Sequence, residues 1–163
     1  MLGGRFVAQS QSYGPEARGG VSIAQVVLSE VEIDYPWPFN LDLLLTLTQK
    51  GCDDNLADMK PQGVLIVDSD LVERVLWGKV VRLPFWQIAR GLGEEKAINM
   101  AALGGLASFC PFISRHCLAT AMAKRLPSAK VATNLLAFDE ARKLAHNLRR
   151  SLKSVETKEE FEI

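Results

Sequence analysis

The sequence predicts an α/β domain, a layered α/β/α arrangement whose sheet is mostly parallel and whose helices dominate the C-terminal half. Three observations carry this. Short apolar runs bounded by Gly, Pro and Asp occupy residues 4 to 83, whereas from Pro84 onward the apolar spacing becomes helical. Strands precede helices with short crossovers and without an internal repeat, which is the order of a layered domain. The 163 residues are 48% apolar and 23% charged, ordinary values for a single folded core that needs no disulfide or metal to hold it.

Residues 4–11 read as the first strand. The glycine-rich stretch 12–20 forms a loop. Residues 21–28, Val-Ser-Ile-Ala-Gln-Val-Val-Leu, form a second strand whose continuous apolar content predicts a central position. Tyr35-Pro36-Trp37-Pro38 interrupts regular structure. Residues 42–48 give a third strand. Asp53 or Asp54 is expected to cap a short helix through Lys60, stopped by Pro61-Gln62-Gly63. Val64–Asp68 is the fourth strand and Val80–Leu83 a short fifth. Helices follow over 85–92, 94–109 and from the Ser114 cap to Leu126, which Pro127 ends. The last helix is predicted over 128–153 from the recurrence of Val131, Leu135, Phe138, Ala141, Ala145, Leu148 and Leu152. One domain is therefore expected over 1–153, with 154–163 a loose tail.

Nineteen basic residues balance nineteen acidic ones, so no net field attracts nucleic acid or an anionic membrane. There is no apolar window of about 18 residues and no secretory pattern in residues 1–9, so the expected location is cytoplasmic. Cys52, Cys110 and Cys117 make an odd set without CxxC spacing, a poor framework for disulfides, zinc or an iron–sulfur cluster. His116 and Cys117 are adjacent and diverge by about 100° on a helix, a weak metal pair. No metal site is expected. GxSxG, GxxxxGK[ST] and HExxH motifs are absent, so no self-contained catalytic set is visible.

The loop is the chemical signal. Gly14 and Pro15 favour a sharp turn, and Gly19 and Gly20 leave the backbone open to close approach. Arg18, beside Glu16, suits bidentate capture of a phosphate or carboxylate; a turn closed by an internal Glu16–Arg18 contact is the plainer alternative. Ser12-Tyr13-Gly14-Pro15-Glu16-Ala17-Arg18-Gly19-Gly20 resembles the "SYGPE-x-RGG" signature of the gamma subunits of 2-oxoacid:ferredoxin oxidoreductases, a unit that also forms one domain of single-chain pyruvate:ferredoxin oxidoreductase. The similarity continues through Lys60–Ser69, through Asn99-Met100-Ala101-Ala102-Leu103-Gly104, and at Asn134. Its YGPE form is nearer the 2-oxoglutarate and branched-chain types. The family pattern places a strand and a G-x-G-G-Q-G loop ahead of this first strand. A sheet without that unit is expected to show an unpaired edge or apolar surface.

The resemblance implies a non-catalytic subunit that packs on alpha and beta subunits, with delta a further partner, and serves ferredoxin indirectly. It implies thiamine diphosphate and iron–sulfur clusters on those partners, and coenzyme A as the ligand this chain helps bind. The implied contacts are Tyr13, Gly14, Glu16, Arg18, Gly19 and Gly20, with Asn99 and Asn134 as lesser candidates; no catalytic residue is expected here. Trp37, Phe39, Trp77, Phe85 and Trp86 read as core or interface residues. The basic stretch Arg142, Lys143, Arg149, Arg150 and Lys153 reads as a solvated face. Two rival readings are a stand-alone flavodoxin-like nucleotide-binding module and a structural or decayed subunit.

Overall fold

A computed structural model describes residues 4–13, 22–35, 37–38 and 40–159, with side chains except at 13 and 151–159. Among the described residues, five strands and five helices are arranged as β1 (Phe6–Tyr13), β2 (Ser22–Ser29), β3 (Leu41–Thr46), α1 (Gln49–Asn55), β4 (Met59–Asp68), β5 (Val80–Leu83), α2 (Phe85–Gly91), α3 (Ile98–Phe109), α4 (Arg115–Arg125) and α5 (Ser128–Glu159). The strands form two separate sheets. β3, β4 and β5 make a parallel sheet in that order, while β1 and β2 pair only with each other.

The parallel sheet is the centre of the domain. Side chains alternate across it, so Leu45, Val64, Ile66, Val81 and Leu83 face one side, and Leu44, Leu65, Val67 and Val80 the other. The first side is covered by α3 and α5 through an alanine-lined surface of Ala97, Ala101, Ala102, Ala137, Ala141 and Ala145. The second is covered by α1 and by the connection 69–79, where Val72 is fully buried and Val75 and Trp77 partly so. A parallel crossover is usually helical. Here an irregular strap takes that place, and side chains satisfy its backbone. Gln49 Oε1 accepts from Glu73 N and Arg74 N, and its Nε2 donates to Arg74 O at 2.8 Å. Arg82 donates to the Val72 and Glu73 carbonyls. Trp77 Nε1 donates to Gly63 O at 2.8 Å.

α3 and α5 run side by side in the same direction, Gly104 against Phe138 and Ser108 against Arg142. Glycine at 104 is required by this approach, because a Cβ there would land on the Phe138 carbonyl oxygen. At Gly105 a Cβ would lie 2.7 Å from the buried Phe85 ring. The Gly104-Gly105 pair is therefore a packing device. Phe138 is also fully buried, in a smaller cluster with Ala107 and Met122 that seats α4 on α5. α2 ends in a Schellman closure: Gly93, at φ 68°, donates to Arg90 O and Glu94 N donates to Ala89 O.

Several expectations need correction. β2 is not central; it pairs antiparallel with β1, from Phe6↔Ser29 to Tyr13↔Ser22. Residues 14–21 are too few for the crossover of a dozen or more residues that a parallel pair needs. The short helix before β4 begins at Gln49, where the Thr48 hydroxyl accepts from Gly51 N, so Thr48 caps it and neither Asp53 nor Asp54 does. β4 also begins earlier, at Met59, and runs through Pro61. A register shift between Leu41/Met59 and Leu43/Val64 takes the proline out of the regular ladder. Glu95–Ala97 forms a 3₁₀ turn ahead of α3. The backbone of α5 is helical to Glu159, past Lys153. Its inner face contains Phe138, Ala141 and Ala145 as expected and is joined by Asn134 and Ala137, whereas Leu148 is exposed.

Candidate functional site

The motif 12–20 joins the two strands of the antiparallel hairpin. Gly14, Glu16, Arg18, Gly19 and Gly20 lie outside the described residues, and of Tyr13 only the backbone is described, at the end of β1 opposite Ser22. The hairpin that carries them is unusual in two respects. None of its sixteen residues is charged, and none of those with described side chains is buried. Phe6, Val7 and Val26 are exposed, and Val31, Tyr35 and Trp37 extend the apolar surface past the end of β2. Its base is tied by Arg5, which lies 4.1 Å above the Phe112 ring and pairs with Glu30 at 2.9 Å. Natural edge strands usually carry charge, which blocks unwanted pairing. A two-stranded ribbon with no buried face is at best marginal in water.

Asn99 and Asn134 have different surroundings. Asn99 is exposed in the first turn of α3. Asn134 is 7% exposed, and its Nδ2 donates to Lys130 O at 2.8 Å within α5. That is a satisfied buried amide on a packed helix face.

A second cluster forms where β4 and β5 end. Asp68 is fully buried, and its carboxylate accepts three main-chain N–H groups: Oδ1 from Asp70 at 2.8 Å and Leu71 at 3.0 Å, Oδ2 from Trp86 at 2.8 Å. One side chain therefore fixes both the turn after β4 and the entry of α2. Beside it lies an open cleft of about 550 Å³ lined by Asp70, Leu71, Trp86, Gln87, Arg90 and Gly91. The Gln87 amide donates to Asp70 Oδ1 at 3.1 Å, and the Arg90 guanidinium lies 5.9 Å from the centre of the Trp86 ring. The sequence reading missed this cluster: it places Asp68 at the end of the fourth strand and residues 85–92 in a short helix, with no site assigned to either. The available signal was an Asp closing an apolar strand ahead of a Pro-initiated helix.

Other groups have structural roles. Trp77 and Phe85 pack inward, while Trp37 is exposed and Phe39 lies outside the described residues. Burial raises the Cys52 thiol above its ordinary pKa, so it is a packed and poorly nucleophilic group. Among the described residues no group of three or more His, Cys, Asp or Glu is placed to hold a metal, and the three cysteines do not form a cluster ligand set. In the basic stretch of α5, Arg149 donates to Ser108 O at 2.6 Å, while Lys143 and Arg150 are exposed. Among the described residues no helix is long and apolar enough to cross a membrane.

The domain combines a parallel sheet with a helical layer on one face and a separate hairpin whose strands the glycine-rich motif joins. The chain belongs to the pyruvate ferredoxin/flavodoxin oxidoreductase family, whose model matches residues 1–144. It is 36% identical over 148 residues to the 2-oxoglutarate synthase subunit KorC of Methanocaldococcus jannaschii, covering 86% of this chain and 78% of that one. Among solved structures it is similar to the gamma subunit of a keto/oxoacid ferredoxin oxidoreductase from Geobacter sulfurreducens, with a TM-score of 0.73 and 35% identity over 87% of this chain and 81% of that one. Its fold is also that of part of the 2-oxoglutarate:ferredoxin oxidoreductase of Magnetococcus marinus, solved with 2-oxoglutarate, coenzyme A and succinyl-CoA bound. There the TM-score is 0.76 at 23% identity, covering 88% of this chain and 26% of that one.

Proposed function

We propose that this chain is the gamma-type subunit of a cytoplasmic 2-oxoacid:ferredoxin oxidoreductase, with 2-oxoglutarate as the oxoacid. The complex would decarboxylate its substrate oxidatively, form the acyl-CoA and reduce ferredoxin. Thiamine diphosphate and the iron–sulfur clusters would belong to the partner subunits; among the described residues no group of three or more His, Cys, Asp or Glu is placed to hold a metal. Its own work is to pack, as one domain over 1–153, on the alpha and beta subunits, with delta as a further partner, and to hold coenzyme A. Arg18 contributes the cation for a phosphate, Glu16 orients it, and Tyr13, Gly14, Gly19 and Gly20 shape the approach. Asn99, exposed on α3, is a secondary contact; Asn134 is a structural amide, its hydrogen bond already made.

The observation that carries this reading is the hairpin. An uncharged ribbon with no buried side chain among the described residues would be completed by another surface, and the motif joins its two strands. Co-expression with the alpha and beta subunits tests it. The expected result is a stable complex whose coenzyme A KM rises about tenfold or more in Arg18→Ala, as loss of a charge-assisted contact implies. A chain that purifies as a monomer and ignores both partners ends the proposal.

A further inference from the structure

We infer that Arg5 is a positioning residue: its contact with Phe112 sets the direction in which the β1–β2 hairpin leaves the domain, and so how the hairpin meets a partner subunit. The inference rests on the function proposed above, under which the hairpin docks on the alpha and beta subunits. Three features converge. The first is mechanical. The hairpin forms no ladder with the β3–β4–β5 sheet, and none of its described side chains is buried, so neither strand pairing nor a core fixes its angle. The ladder runs unbroken from Phe6↔Ser29 to Tyr13↔Ser22. At about 3.3 Å per residue its far end lies about 23 Å from the root, and a tilt of about 10° at the root moves that end by about 4 Å.

The second is the place of the contact. Arg5 immediately precedes β1 and Glu30 immediately follows β2, so their ion pair at 2.9 Å closes the open end of the hairpin. Phe112 belongs to the connection between α3 and α4, and the Arg5 guanidinium stands 4.1 Å from the centre of its ring. One side chain therefore joins both strands to the helical part of the domain. Just ahead of it Gly4, at φ 71°, turns the backbone through a conformation that glycine adopts freely and other residues rarely do.

The third is magnitude. Glu30 is 78% exposed, so water screens its ion pair and the contribution is small. The Arg5 side chain is only 27% exposed, and a partly desolvated guanidinium over an aromatic face is the stronger contact. Phe112 is itself exposed, so its ring serves the cation more than the core. An arm aimed in advance loses less freedom on docking than one attached by its two connections alone.

The test uses the full chain, alone and with the alpha and beta subunits. Nitroxide labels are placed at Gln9→Cys on β1 and Lys124→Cys on α4, both exposed positions, with Cys110→Ser and Cys117→Ser removing the accessible thiols. Arg5 in place is expected to give one narrow distance distribution by electron–electron double resonance. Arg5→Gln and Phe112→Leu are expected to broaden it, and Arg5→Lys, which keeps a cation over the ring, to broaden it less. None of these changes a buried side chain, so the urea midpoint should hold. Affinity for the alpha and beta subunits is expected to fall about tenfold in Arg5→Gln or Phe112→Leu, the size of one half-buried cation–π contact, and no further in the double variant. An Arg5→Gln chain that keeps either the narrow distribution or the wild-type affinity refutes the inference while the proposed function stands. Losses that multiply in the double variant also refute it, since Phe112 would then touch the partner directly. If the wild-type chain ignores both subunits, the proposed function falls, and the distance distribution alone decides the role of Arg5.

Discussion

The α3–α5 layer and the β1–β2 hairpin differ most in how their residues are buried. In the helical layer, Ala97, Ala101, Ala137, Ala141 and Ala145 are fully buried against the sheet, and Gly104 lets one helix backbone touch the other. In the hairpin no described side chain is buried and no charged side chain guards the edges. The first region holds the domain together from within. The second carries the glycine-rich motif between its strands, and under the function proposed above a partner surface completes it. If the hairpin is a docking element as proposed, mutations in the two regions should behave differently.

Gly104→Ala should have the largest effect on folding. The new methyl group meets the Phe138 carbonyl, part of a helix backbone that cannot move independently of Ser108, Arg142 and Arg149, which are tied across the same interface. A loss of about 3 kcal/mol or more is expected from such overpacking, read as a lower urea midpoint. A variant as stable as wild type would show that the two helices can separate freely.

Asp68→Ala should come next, at about 2–3 kcal/mol. It leaves main-chain N–H groups at Asp70, Leu71 and Trp86 without their acceptor, though the first two can recover water at the surface. Asp68→Asn should lose less, since one oxygen still accepts. Equal effects for the two would mean that hydrogen bonding at this position is unimportant.

How far these regions could be read in advance follows from the kind of signal each carries. The sheet was legible because Val64–Asp68 and Val80–Leu83 are compact apolar runs, and α4 because Ser114 is a strong cap that the structure confirms through Cys117 N. The hairpin was misplaced because apolar continuity in residues 21–28 was taken as burial. The length of the connection, which allows only an antiparallel pair, was the better guide. The start of β4 was obscured by Pro61, which depends on a register shift that only the neighbouring strand reveals. The glycine-rich motif was visible as a motif, whereas the Asp68 cluster was not. Its members, at 68, 70, 86 and 90, are brought together by a chain reversal that has no local signature.

Val26→Lys probes the hairpin side of the comparison. Val26 is 54% exposed, so folding of the chain should change by less than about 0.5 kcal/mol. A lysine there would be buried against a partner, so co-purification with the alpha and beta subunits should fall sharply. Undiminished assembly would show that this part of the hairpin faces solvent in the complex, and would shift attention to Phe6 and Trp37.

The smallest effect concerns pH. The Arg115 guanidinium hydrogen-bonds the Asp139 carboxylate and, with the positive charges of Lys143 and Arg142, holds its pKa below the ordinary carboxylate value against the opposing effect of burial. Glu94 is lowered in the same sense, chiefly by its hydrogen bond from Lys130. A carboxylate whose folded pKa is depressed adds stability that is fully present above its unfolded value of about 4 and is lost as pH falls through the folded value. Both pairs are partly exposed, so solvent screens them and the contribution is modest. Melting temperatures measured between pH 7 and pH 2 should therefore fall on the acid side in wild type, and fall slightly less steeply in Asp139→Asn. The two profiles should run parallel above about pH 5, where Asp139 is fully ionised in both folded and unfolded chains. A difference that instead grew with rising pH would mean that Arg115 is held by some other group, and α4 would then be anchored to α5 by Leu118, Met122 and Leu126 alone.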